Sequence, residues 1–239
     1  MQCHFRYLLS TLLFLSSYTC FAQKDTLRVL FAGNSYTYYS DLPNMVSELS
    51  KSTSTYLKTA MSAVGGARLK YHYNQDHGLK TKDLIKNGNF NIVVLQEQSM
   101  GTLTNKKEFL EYSKKLSEYI KKHGAKPYFF TTWSREKTPQ TQKIITKAYK
   151  EATNINNGTT VLVGSVWAKV LKTHPELDLY IEDGSHPTLL GTFLSAAVFV
   201  KAITGEIPRK INNTEKLNLN NLQLCLQIVS LMSEKQLKF

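Results

Sequence analysis

Uniformly apolar runs alternate along the chain with segments whose apolar residues recur at helical spacing. Runs that are apolar on both faces predict strands that are covered on both sides. Five strands are expected, at residues 27–32, 56–62 and 92–95 and within the stretches GAKPYFFTTW and TTVLVGS. Helices are expected at residues 42–50, 106–123, 139–153, 166–174 and 188–204 and over most of 217–237. The alternation predicts an α/β fold, a parallel sheet with helices on both faces.

Residues 1–22 have the pattern of a secretory signal peptide. Arg6 precedes an apolar stretch over residues 7–17, and Cys20-Phe21-Ala22 forms a small-x-Ala cleavage pattern. The stretch is shorter than the roughly 20 apolar residues of a membrane span. We expect cleavage after Ala22, export to the periplasm or the extracellular space, and no stable membrane span in the mature form. A lipoprotein acylated at Cys20 is the alternative, which the bulky residue before that cysteine disfavours.

Residues 23–239 contain no linker, repeat or low-complexity tract, so we expect a single domain. Cys225 is their only cysteine, and neither an internal disulfide nor a cysteine metal site is expected. The chain has a formal net charge of +12, and its lysines are scattered over expected helices, which predicts solvated helix faces. The charge permits weak attraction to acidic polysaccharides or anionic surfaces. A nucleic-acid partner is not expected, because no motif for one is present and the export signal argues against it.

Polar clusters follow four of the expected strands. In chain order they are Gly33-Asn34-Ser35, Gly65-Gly66, Gln96-Glu97-Gln98-Ser99 and Thr131-Thr132-Trp133. In open parallel sheets, ligands bind beyond the carboxyl ends of the strands. The sequence therefore predicts a site at that edge of the sheet.

A serine in the first cluster points to nucleophilic catalysis. A hydroxyl needs a base to take its proton, and the base needs a group that orients it. His186 alone among the histidines lies in a motif of this kind, IEDGSHPTLLGTFLSAAVF, in which Asp183 precedes it on a short glycine-containing turn. Alone, each motif is also typical of an ordinary strand-end turn or a helix start. Their order at opposite ends of one α/β domain favours the catalytic interpretation.

Together, Gly33-Asn34-Ser35 and Asp183-x-x-His186 resemble the motifs of the SGNH (GDSL-type) hydrolase superfamily, over nearly all of the expected domain. The resemblance implies a flavodoxin-like three-layer α/β/α sandwich with a five-stranded parallel sheet. It also implies Ser35 as nucleophile, His186 as general base and then acid, and Asp183 as the group that orients the imidazole. The oxyanion hole would consist of the N–H groups of Ser35 and Gly66 and the side-chain amide of Gln98. No metal or organic cofactor is implied.

The chain departs from the family pattern at two positions. Asn34 replaces the usual aspartate, and asparagine can make the same local turn hydrogen bonds. Gln98 stands where the family has an asparagine. The common α/β-hydrolase elbow fits less well, because Thr37 occupies the position of its second glycine. Further substrate-binding candidates are Asn34, Tyr36, Gln96 and Trp133. Trp133 is interpreted either as a sugar-stacking platform or as a partly buried aromatic residue.

The expected activity is that of a secreted serine esterase that removes small acyl groups, such as acetyl, from carbohydrates or related esters. Export and polar site edges favour acylated small molecules or glycans as substrates, by analogy with the family. One alternative is a non-catalytic glycan-binding or cell-surface protein on the same fold, which the missing asparagine favours and the intact serine, aspartate and histidine disfavour. A lipase or thioesterase is the other. The acyl group, the alcohol and the oligomeric state are left open.

Overall fold

The computed structural model describes residues 24–209 and 218–238. Its strands are β1 (Asp25–Gly33), β2 (Thr55–Ala63), β3 (Ile92–Leu95), β4 (Lys126–Phe130) and β5 (Thr159–Val161). Its α-helices are α1 (Ser35–Tyr38), α2 (Leu42–Ser50), α3 (Leu69–Asn74), α4 (Thr81–Asn87), α5 (Gly101–Thr104), α6 (Lys106–Lys122), α7 (Gln142–Asn156), α8 (Val163–Thr173), α9 (Leu189–Thr204), α10 (Leu219–Ser230) and α11 (Glu234–Leu237). Within this part of the chain no helix is both long and apolar enough to span a membrane. The predicted signal peptide lies outside the described residues.

The five strands form one parallel sheet in the order β2-β1-β3-β4-β5. From β1 the chain builds outward to β2 on one side and through β3, β4 and β5 on the other. The direction of building therefore changes between β1 and β3. Ligands of α/β sheets bind in the crevice outside the carboxyl ends of the strands at such a point. Ser35 follows β1 and Gln98 follows β3, so both lie at this position.

Two hydrophobic cores lie on opposite faces of the sheet. In β1, Val29 and Phe31 join the core formed with α2, α8, α9 and α10, whereas Leu30 and Ala32 join the core formed with α3, α4, α6 and α7. Successive side chains of a strand point to opposite faces, so an apolar strand needs a helical layer on each. The predicted three-layer α/β/α sandwich with a five-stranded parallel sheet is confirmed.

Most predicted elements are present, and the differences are at their ends. The strand at 92–95 and the helix at 42–50 match residue for residue. The helix expected from Pro139 begins as a 3₁₀ turn, Pro139–Thr141, and continues as α7. The helix expected over most of 217–237 is two helices, α10 and α11. Ser233 separates them, because it caps α11 in a capping box with Gln236.

Candidate active site

A tight turn places Ser35 at the carboxyl edge of the sheet. Asn34 caps the short helix α1, and its Oδ1 accepts the N–H of Tyr36 at 3.1 Å. A Cβ atom at Gly33 would collide with Thr37 Oγ1 and Gln96 Oε1, so only glycine fits there. Ser35 is consequently the first helical residue beyond β1 and lies in the wall of an open pocket.

The loop that carries His186 is held by hydrogen bonds from the segment after β4. The carbonyl of Ser185 accepts a hydrogen bond from Trp133 Nε1 at 2.9 Å, and the carbonyl of Gly184 accepts one from the N–H of Glu136 at 2.9 Å. Gly184 has φ +61°, in the left-handed region that favours glycine. These bonds fix the loop relative to the sheet and thus fix the position of the imidazole.

Ser35, His186 and Asp183 form one continuous chain of hydrogen bonds. His186 Nε2 lies 2.9 Å from Ser35 Oγ, and His186 Nδ1 lies 2.5 Å from Asp183 Oδ2. Asp183 Oδ1 accepts the backbone N–H groups of Ser185 and His186, each at 2.9 Å. Partial burial acts to raise the pKa of Asp183, but the hydrogen bonds from His186 and Ser185 outweigh it, and the pKa is lowered. An ionised carboxylate only accepts, so Nδ1 donates to Asp183 and Nε2 is left to accept the serine proton.

Aromatic rings support the imidazole of His186. Tyr39 stacks on it with ring centroids 5.1 Å apart, and the ring of Tyr36 meets it edge to face at 5.5 Å. Tyr36 stacks in turn on Trp133, and Trp133 stacks on Trp167 with centroids 3.9 Å apart. The hydroxyl of Tyr36 is hydrogen-bonded to a serine of the loop that carries His186, so the tyrosine connects the turn after β1 to that loop. Tyr36 also lies in the pocket wall, where its predicted contact with substrate stays a prediction.

The structure contradicts the sugar-platform interpretation of Trp133. The indole is only 2% exposed and lies between Tyr36 and Trp167, so both of its faces are covered. Its Nε1 is occupied by the carbonyl of Ser185. Trp133 therefore positions the histidine loop instead of stacking on a sugar.

Gln96 does not contact substrate either, so that prediction is wrong. Its side chain is fully buried, and Oε1 accepts the N–H of Asn34 at 2.9 Å and the hydroxyl of Thr37 at 3.0 Å. Its Nε2 donates to Asn34 Oδ1 and to the carbonyl of Glu97. Asn34 lies in the pocket wall, but its side chain is occupied too, since Nδ2 donates to the carbonyls of Ala67 and Glu97. Both amides hold the turn after β1 in place.

The predicted oxyanion donors lie around the same pocket, which has a volume of about 230 Å³. Ser35, Gly66 and Gln98 all line it, as does His186. Gly66 has φ +67° in the turn after β2. Gln98 Oε1 accepts the N–H of Met100 at 2.9 Å, which fixes the amide so that Nε2 is the free donor end. That Nε2 makes one long bond, 3.3 Å, to Ser99 Oγ and retains donor capacity.

Two buried ionisable groups that the sequence did not reveal hold this edge together. The carboxylate of Glu97 accepts the N–H groups of Leu69 and Gln98, at 3.1 and 2.9 Å, and so joins the segment after Gly66 to Gln98. Burial raises the pKa of Glu97 to about 7, although those N–H groups act to lower it. His72 is fully buried, and its Nε2 lies 3.0 Å from the carbonyl of Gly33. Burial lowers the pKa of His72 to about 4, so the imidazole is neutral at pH 7.

Glu97 and His72 are expected to make the stability of the fold depend on pH in opposite directions. The pKa of Glu97 is raised from 4.5, so its contribution is present below pH 4.5 and lost as the pH rises to about 7. The pKa of His72 is lowered from 6.5, so its contribution is present above pH 6.5 and lost as the pH falls to about 4. Each effect amounts to about 3 kcal/mol, and they oppose each other over most of this range.

Urea unfolding at a series of pH values between 4 and 8 should separate the contributions of Glu97 and His72. Each is expected to change the free energy of unfolding by ~3 kcal/mol. Relative to wild type, Glu97→Gln is expected to gain stability as the pH rises, since the destabilising ionisation is removed. His72→Gln is expected to gain stability as the pH falls. The exposed Glu118→Gln serves as a control and should follow the wild-type profile. Parallel profiles for all four proteins would contradict the assignment.

The chain is similar to several solved structures of known proteins. No protein-family model matches the chain, and a search of curated proteins gave no match. Among solved structures, it is similar to a candidate SGNH hydrolase from Slackia heliotrinireducens, at 27% identity and TM-score 0.63, covering 76% of this chain and 100% of the other. It is also similar to a DUF4886 family protein from Bacteroides uniformis, at 15% identity and TM-score 0.71, covering 86% and 93%. The acetyl xylan esterase AlAXEase matches at 17% identity and TM-score 0.57, covering 71% and 96%. The last two similarities are of fold.

Proposed function

We propose that the chain is an ester hydrolase of the SGNH (GDSL-type) superfamily and that Ser35, His186 and Asp183 are its catalytic triad. The observation that carries the proposal is the unbroken hydrogen-bond chain from Ser35 Oγ through both imidazole nitrogens to the Asp183 carboxylate. Ser35 is far in sequence from Asp183 and His186, yet the three side chains are aligned. In this arrangement they can act as a nucleophile, an orienting carboxylate and a base, respectively.

The proposed reaction proceeds in two acyl transfers. Ser35 Oγ attacks the ester carbonyl while its proton moves to His186 Nε2, and Asp183 stabilises the imidazolium that forms. The tetrahedral oxyanion accepts hydrogen bonds from the N–H groups of Ser35 and Gly66 and from Gln98 Nε2. The imidazolium then protonates the leaving alcohol. Water, deprotonated by the same imidazole, attacks the acyl-serine and releases the acid, which restores the free hydroxyl.

We propose a small acyl group, such as acetyl, on a carbohydrate or related alcohol. The pocket of about 230 Å³ is smaller than the 300–1,000 Å³ typical of sites for drug-sized ligands. Its described lining contains hydroxyl, amide, imidazole and guanidinium groups and no aliphatic side chain, which disfavours a long acyl chain. The similarity to an acetyl xylan esterase supports a carbohydrate ester. The signal-peptide pattern supports a secreted enzyme.

The proposal is tested with p-nitrophenyl esters from acetyl to long-chain acyl, together with a fluorophosphonate that labels active serines. We expect kcat/KM to be highest for acetyl and to fall as the chain lengthens, and the phosphonate mass to appear on the peptide containing Ser35. A preference for long chains would keep the esterase and replace its substrate class with lipids or thioesters. Absence of both turnover and labelling would favour the non-catalytic glycan-binding alternative.

A further inference from the structure

Arg135 is an unneutralised cation in the wall of the catalytic pocket. It is exposed, follows β4, and lines the same cavity of about 230 Å³ as Ser35 and His186. Its guanidinium makes no hydrogen bond or ion pair with any residue in the described part of the chain. The guanidinium of Arg68, by contrast, is bound to Glu108 at 2.9 Å. A guanidinium left open beside a nucleophile is available to a ligand.

The backbone around Arg135 is held on both sides. The N–H of Ser134 donates to Gln142 Oε1 at 2.7 Å, and its carbonyl accepts the hydroxyl of Tyr180 at 2.7 Å. On the other side, the N–H of Glu136 donates to the carbonyl of Gly184 in the histidine loop at 2.9 Å. The base of the Arg135 side chain is thus fixed relative to the imidazole, although the side chain itself is exposed.

No anion among the described residues of the pocket wall neutralises Arg135. Among the described residues that line it, Arg135 and His186 are the only ones with a basic side chain, and none has a carboxylate. Asp183 is not in the lining, and its oxygens are occupied by His186 and by backbone N–H groups. Glu136, next in sequence, lines a separate cavity beside Trp167. Guanidinium groups bind carboxylates in a bidentate geometry.

We propose that Arg135 binds a carboxylate of the substrate, so that the preferred substrate is an acylated acidic sugar and not a neutral one. This inference rests on the proposed esterase function and deepens it. Arg135 and Ser35 line the same cavity of about 230 Å³, so the proposal places the carboxylate and the ester on one sugar unit. A carboxylate matches the single guanidinium in charge, and the positive net charge of the chain attracts acidic substrates.

The kinetic test compares acetylated methyl glucuronoside with acetylated methyl glucoside. The ratio of kcat/KM for the charged over the neutral ester is expected to exceed one in wild type and to fall on the order of tenfold in Arg135→Met, mainly through KM. Arg135→Lys should be intermediate, because an ammonium retains the charge without the bidentate geometry. Lys137→Met, an exposed neighbour outside the pocket, is the matched control and should retain the wild-type ratio. A ratio that is the same in Arg135→Met and wild type would overturn the proposal.

A binding measurement separates this inference from the esterase proposal. Methyl glucuronoside and methyl glucoside are titrated into Ser35→Ala, with and without Arg135→Met, and followed by NMR. We expect tighter binding of the glucuronoside, lost in the double variant. If no ester is hydrolysed yet this preference is present, the esterase proposal fails and the role of Arg135 stands. Equal binding of the two glycosides, or tighter binding of glucose 6-phosphate than of glucuronoside, would overturn the carboxylate assignment.

Discussion

Ser35→Ala is expected to lower kcat for p-nitrophenyl acetate by roughly 10⁴- to 10⁶-fold. Among the described residues, Ser35 Oγ is the only oxygen within hydrogen-bond distance of His186 Nε2, at 2.9 Å. The variant removes this oxygen, so no acyl-enzyme can form. The fold should tolerate the change. The side chain of Ser35 is part of the pocket wall, and the turn depends instead on Gly33, Asn34 and Gln96. The free energy of unfolding should therefore stay within about 1 kcal/mol of wild type.

Steady-state kinetics and urea unfolding on the same preparations test this expectation. The matched control is Ser230→Ala, an exposed serine at the end of α10, whose hydroxyl bonds, within the described residues, only to the carbonyl of Gln227. It should have wild-type activity and stability. Activity of Ser35→Ala within roughly tenfold of wild type, with a normal unfolding curve, would rule out the proposed nucleophile.

The layers of the fold could be predicted because its strands are apolar on both faces. Such strands, at 92–95 for example, have few alternatives to a sheet covered by two helical layers. The strand order could not be predicted in this way, since hydrophobic patterning is the same for any order of buried strands. The ends of the helices were harder to predict from the pattern. A Ser-x-x-Gln cap that splits the C-terminal helical segment at Ser233 is a local feature inside an otherwise continuous apolar pattern.

The residues of the candidate triad could be predicted because each lies in a short motif whose chemistry requires that residue type. The roles of Gln96 and Gln98 could not be separated in that way. They are two residues apart at one strand end, but the first is buried under the turn that carries Ser35 and the second lies in the pocket wall. Trp133 posed the same problem, because its burial depends on Tyr36 and Trp167 from distant segments.

The supporting residues were missed because their partners are far away in sequence. His72 bonds to the carbonyl of Gly33, 39 residues away, and Glu97 bonds to the N–H of Leu69, 28 residues away. His72 lies in no motif and Glu97 lies only in a polar cluster, and histidine and glutamate are residue types that are common at surface positions. They become buried only when the segments that follow β1, β2 and β3 pack together, and this burial shifts the pKa of both. The only signal in the sequence was the polar cluster after β3, and it did not indicate which of its residues is buried and which faces the pocket.

Asp183→Asn is expected to lower kcat about 10³- to 10⁴-fold, through the tautomer of His186. In wild type, Oδ1 of Asp183 accepts two backbone N–H groups, and Oδ2 accepts the imidazole. The same two N–H groups would hold the carbonyl oxygen of an asparagine in the Oδ1 position. Its NH₂ group would then face His186 Nδ1 and donate to it. Nδ1 must lose its proton to accept, so the proton moves to Nε2, and Nε2 can no longer take the proton of Ser35.

Asp183→Ala is the informative comparison, because it removes the orienting carboxylate without placing a donor against Nδ1. Its imidazole retains access to both tautomers, so we expect it to be no less active than Asp183→Asn despite the larger deletion. Nitrogen-15 NMR of the histidine side chains would report the proton on Nδ1 in wild type and on Nε2 in Asp183→Asn. If Asp183→Asn were clearly the more active variant, or if its proton stayed on Nδ1, the carboxylate would act mainly by supporting the loop. The two backbone hydrogen bonds to Oδ1 would then be its main contribution.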